Sequence, residues 1–210
     1  MRLYRILSTL TLTLSLLSGS ASTTFAVSIF DVAINTTALS GTAAHLAFDL
    51  IDGDFVANNT ATISNFTTDG TLGTATTVGG PVTGTLPGIV TIGDSDFFNE
   101  LLQPITLGNT IAFTLTLTQN FAGGIPDQFS LFLLDADPVF PLPLFSTNDP
   151  TGADALFVVD ITGSAFGDFQ TFSPTSSPSA TLSATPVPEP STLLLFATAL
   201  AGLALVRRKL

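Results

Sequence analysis

The pattern that most limits the fold of this chain is an alternation of period two. Phe30, Val32 and Ile34 fall on one side of residues 28–35, with Asp31 and Asn35 on the other. Leu46, Phe48 and Leu50 repeat it against His45, Ala47 and Asp49, and Ile111, Phe113, Leu115 and Leu117 oppose Thr114, Thr116 and Thr118. Side chains point to alternate faces along a strand, so these segments read as half-buried strands. Residues 129–134 and 156–159 are apolar on both faces and read as central strands. Asp52-Gly53-Asp54, Asn58-Asn59, Asp69-Gly70, Gly79-Gly80-Pro81 and Gly123-Gly124 supply turn chemistry between them. The expected fold is all-β: one antiparallel β-sandwich over 27–172, jelly-roll-like. Phe30, Val32, Ile34, Phe48, Phe113, Leu115, Leu131 and Phe157 should be buried in it.

Charge is segregated as sharply as hydropathy. The five basic residues are Arg2, Arg5, Arg207, Arg208 and Lys209, so the stretch between Arg5 and Arg207 has none. That stretch has fourteen Asp, Glu100, Glu189 and the single histidine, His45. Its carboxylates have no Lys or Arg partner nearby in sequence; they must be solvated, hydrogen-bonded or metal-bound. An acidic surface repels phosphate, which excludes nucleic acid as a partner. The chain has no cysteine, so no disulfide framework is available.

The two ends have their own logic. Residues 1–26 read as a secretory signal peptide: Arg2 and Arg5, an apolar run over 6–17, and Thr24-Phe25-Ala26 before the cut. Residues 173–187 are rich in Ser, Thr and Pro and read as an extended linker. Then come Pro188-Glu189-Pro190, an uncharged apolar run to Val206 read as a transmembrane helix over 191–206, and Arg207-Arg208-Lys209 as a cytoplasmic stop.

Residues 188–210 resemble the PEP-CTERM sorting tail of bacterial exported proteins. The resemblance implies an exosortase-type sorting enzyme as partner, with Pro188, Glu189 and Pro190 as its recognition motif and Arg207, Arg208 and Lys209 as the retention signal. It implies transient anchoring in the cytoplasmic membrane, then the cell surface or extracellular medium. The cargo is similar to small exported proteins with such tails through Phe30–Asn35 and Ala47–Phe66, a group without an activity to carry over.

The chemistry available to the cargo is narrow. Asp49, Asp52, Asp54, Asn58 and Asn59 gather hard oxygen ligands around Gly53, a donor set suited to Ca²⁺. Asp94, Asp96 and Glu100 are the carboxylates a glycosidase would need, and His45 is the only imidazole; but no Trp and no internal Lys or Arg accompany them. His45, on the polar face of its strand, reads as a surface residue. The expected function is therefore not enzymatic. It is an exported surface or extracellular-matrix protein of structural or adhesive type, with a calcium-dependent module binding matrix polysaccharide as the alternative and a hydrolase as the remote one. No cofactor is certain; calcium is the candidate.

Overall fold

The computed structural model describes residues 27–187. The expected export signal (1–26), apolar helix (191–206), sorting motif and basic stop lie outside them. Among the described residues, no helix is long and apolar enough to cross a membrane. The fold is all-β, with one 3-10 turn at Thr37–Leu39. The strands are β1 (Val27–Asn35), β2 (Ala43–Ile51), β3 (Thr60–Thr68), β4 (Thr71–Leu72), β5 (Thr76–Val78), β6 (Val82–Gly84) and β7 (Val90–Gly93). They continue with β8 (Phe98–Thr106), β9 (Thr110–Thr118), β10 (Asp127–Asp135), β11 (Phe157–Ile161), β12 (Asp168–Thr171) and β13 (Thr181–Pro186).

Two antiparallel sheets form. One runs β13-β1-β9-β3-β7-β6; the other runs β12-β11-β10-β2-β8-β4, with β5 also on β8. The pairing is nested: β1 with β9, β2 with β8, β3 with β7. Alternate side chains of both sheets meet between them, as the period-two pattern requires. All eight core residues expected from the sequence are buried. Phe48 and Phe113 meet edge to face across the layers at 5.5 Å, and Phe30 and Phe157 do so at 5.4 Å. Such pairs add about 0.5–1.5 kcal/mol each to the burial itself.

The linker expected over 173–187 is corrected by this structure. Thr181–Pro186 is strand β13, in register with β1 from Phe30↔Pro186 to Asn35↔Thr181. Ala180 is fully buried, and Leu182 and Ala184 pack on the core. A Ser/Thr-rich segment becomes a strand here because β1 would otherwise present an open edge, which β13 covers. A chain ending at residue 172 should therefore lose its cooperative melting or aggregate, whereas one ending at 187 should melt as a single unit. Equal melting temperatures for the two would return the segment to a linker.

Candidate functional site

The nested antiparallel pairing brings many strand termini to one end of the sandwich. β2, β7, β9, β11 and β13 finish there, and β1, β3, β8, β10 and β12 begin there. The β2–β3, β7–β8 and β9–β10 loops interlock at this end. The approach is close at Gly53: a Cβ there would sit 2.2 Å from the Pro126 carbonyl oxygen, so only glycine fits.

Asp52 and Asp54, from the β2–β3 loop, meet Asp127, the first residue of β10. Each offers a carboxylate oxygen, and the three lie within 4.8 Å of one another. Asp127 Oδ1 accepts the Gly53 N–H at 2.8 Å and the Asp54 N–H at 3.2 Å, while Oδ2 accepts Asn59 Nδ2 at 2.7 Å. Asp54 Oδ2 accepts the Ala122 N–H at 3.1 Å, and the Asp52 and Asp54 carboxylates both accept the Val56 N–H. Asp94 Oδ2 accepts the N–H groups of Asn58 and Asn59 at 3.2 and 2.7 Å. Burial, then the neighbouring Asp127 charge, pushes the Asp52 carboxyl above the usual range. Burial raises Asp94 too, against the pull of the Asn59 and Asn58 N–H groups.

Three carboxylate oxygens within 4.8 Å of one another could share one metal ion, and hard oxygen donors suit Ca²⁺, which takes six to eight of them. Asn58 Oδ1 is buried with no hydrogen-bond partner. Of the residues expected from the sequence, Asp52 and Asp54 belong to the cluster. Asn59 braces it through its amide, whose Oδ1 also accepts the Asn120 N–H and the Thr118 hydroxyl. Asn58 sits beside it, its carbonyl accepting Asn120 Nδ2 at 2.6 Å. Sequence reading missed Asp127, 73 residues beyond Asp54. The only local signal was an acid opening an apolar strand.

Asp49 is elsewhere. It lies mid-strand on the outer face of its sheet, directly opposite Glu100 on β8 and beside Ser130 on β10. Burial first, then the Glu100 charge, pushes Asp49 up to about 8, and burial also raises Glu100. The pair holds a proton at neutral pH, and Asp49 Oδ1 is buried without a partner. His45, expected on the surface, is also buried. Leu134 and Pro104 flank it across the sheet, and its Nδ1 is 2.7 Å from the Asp135 carbonyl oxygen. The three glycosidase candidates are engaged separately: Asp94 holds Asn58 and Asn59, Asp96 donates its N–H to Asn99 Oδ1, and Glu100 faces Asp49.

The chain leaves the sandwich at the same end as the acidic loops. Its last strand closes at Pro186, and residues 186–209 match the family described as the PEP-CTERM protein-sorting motif. The chain carries a PEP-CTERM sorting signal. The match covers 24 of 210 residues, so it identifies the tail and not the sandwich. Neither a curated protein nor a solved structure matches the chain. The PEP-CTERM motif marks an exported protein, handled by an exosortase-type sorting enzyme and anchored transiently in the membrane through its C-terminal region.

Proposed function

We propose that the sandwich is the non-catalytic cargo of this sorting signal, with a structural or adhesive role at the cell surface or in the extracellular matrix. The observation that carries this reading is the sorting motif joined directly to the last strand of a domain with no Lys or Arg. The acids support it, because many of them build turns. Asp69, for example, accepts the Thr110 N–H, the amide of Asn109 and the Asn109 N–H, which hold its carboxyl below the usual range.

The test is localisation. Replacing Pro188, Glu189 and Pro190 with alanine should leave the protein in the membrane fraction, while the parent chain reaches the surface or medium. Normal release of that variant would remove the sorting role from the motif.

A second reading, calcium-dependent binding of matrix polysaccharide, is favoured by the convergence of Asp52, Asp54 and Asp127. It expects the released protein to be retained by matrix polysaccharide in calcium and freed by chelator. Retention indifferent to chelator would leave calcium no part in adhesion.

A further inference from the structure

The end from which the PEP-CTERM tail departs is also an end with exposed aromatic loop tips. The Val187 N–H donates to the Ile29 carbonyl at 2.8 Å, so the chain leaves beside the start of β1. The loops that project from this end expose Phe55 (75 %), Ile125 (70 %) and Phe97 (60 %). The Phe55 and Phe97 rings stack at 6.1 Å, and the Asp52 N–H donates to the Phe97 carbonyl, tying the two loops together. Phe55 has φ 60°. The left-handed region is costly for an aromatic residue and persists where the surroundings enforce it. Here it accompanies a ring turned out to water, not one packed in the core.

We propose that these loop tips dock on the lipid bilayer while the tail anchors the protein. The inference rests on the anchoring reading of the tail. The occupant follows from how close the apolar run lies to the last residue of the sandwich. The apolar run begins at Leu193, six residues after Val187, and six residues span at most about 20 Å. With β13 bound into the sandwich, no longer spacer separates this end from the membrane. A short apolar anchor gains from a second apolar contact, because membrane attachment strengthens with buried apolar area. Asp52, Asp54 and Asp127 lie beside the tips and repel anionic headgroups, so docking in chelator should be stronger on neutral lipid than on anionic lipid. The opposite end supplies a control: Phe140, in the loop after β10, is 77 % exposed and lies at the other end of the sandwich from Val187.

The chain has no tryptophan, so Phe55→Trp, Phe97→Trp and Phe140→Trp each install a single reporter. The full chain, with its tail intact, is taken from cells lacking the sorting enzyme and reconstituted in phosphatidylcholine vesicles with brominated acyl chains. Emission from the reporters at 55 and 97 should shift to the blue and be quenched by the bromines, while that at 140 is unchanged. Equal quenching at 55, 97 and 140 in a protein that floats with the vesicles overturns docking and leaves anchoring intact. A blue shift without quenching that grows with the protein-to-lipid ratio assigns the patch to a second copy and also overturns docking. A chain that fails to float contradicts anchoring, and docking falls with it.

Discussion

Asp49→Asn is expected to stabilise the sandwich at pH 8 and to flatten its stability between pH 4 and 8. Asp49 faces Glu100 in the sheet, and burial raises its carboxyl from 3.8 to about 8. The folded state therefore holds a proton that the unfolded chain releases above pH ~4. By linkage, the contribution is present in full below the unfolded value and is lost as pH rises toward 8. Over that interval the ceiling is about 5 kcal/mol at about 1.4 kcal/mol per pH unit. Glu100 shares the proton, so the effect falls below that ceiling, on the order of a few kcal/mol. Asparagine has no charge to desolvate and can donate its amide to Glu100, so the variant keeps the contact and escapes the penalty. For a domain of this size the gain corresponds to a rise of roughly 5–10 °C in melting temperature at pH 8, with little change at pH 4. Melting residues 27–187 of both proteins across that range checks it. A variant less stable than its parent at pH 8 would mean that Asp49 is held ionised by interactions other than these.

The second large effect expected is a calcium response centred on Asp52, Asp54 and Asp127. Calcium at about 100 times its dissociation constant should add about 2.7 kcal/mol, several degrees of melting temperature. Sodium chloride at matched ionic strength relieves only general repulsion among the acids. Asp52→Asn makes the sharper test because its effect should change sign with the buffer. In chelator, removing a carboxylate whose ionisation is opposed by burial and by Asp127 should stabilise the domain. In calcium, the same change removes a ligand and should abolish most of the response. Asp54→Asn should also weaken the response, while leaving one amide oxygen where two carboxylate oxygens accepted the Val56 and Ala122 N–H groups. Equal shifts in calcium and matched salt, in parent and variants alike, would reduce the three aspartates to turn formers.

Some of this was legible in the linear chain because its causes are local. Period-two patterning in residues 28–35, 45–50 and 111–118 dictated strands and named the inward face, and Phe30, Phe48 and Phe113 meet their partners between the sheets. The PEP-CTERM tail was readable because a sorting signal is recognised as a sequence. Asp52 and Asp54 could be named because they share one turn. Three features depended on contacts that no local pattern encodes. Asp127 joins the loop only because β10 pairs with β2 and starts where β2 ends. Asp49 left the proposed ligand set because, inside β2, its side chain points across the sheet at Glu100 and not into the loop three residues on. Thr181–Pro186 has the composition of a spacer. An edge strand is half exposed and tolerates Ser, Thr and Pro, so what makes it a strand is the unpaired edge of β1, supplied by a segment about 150 residues earlier in the chain.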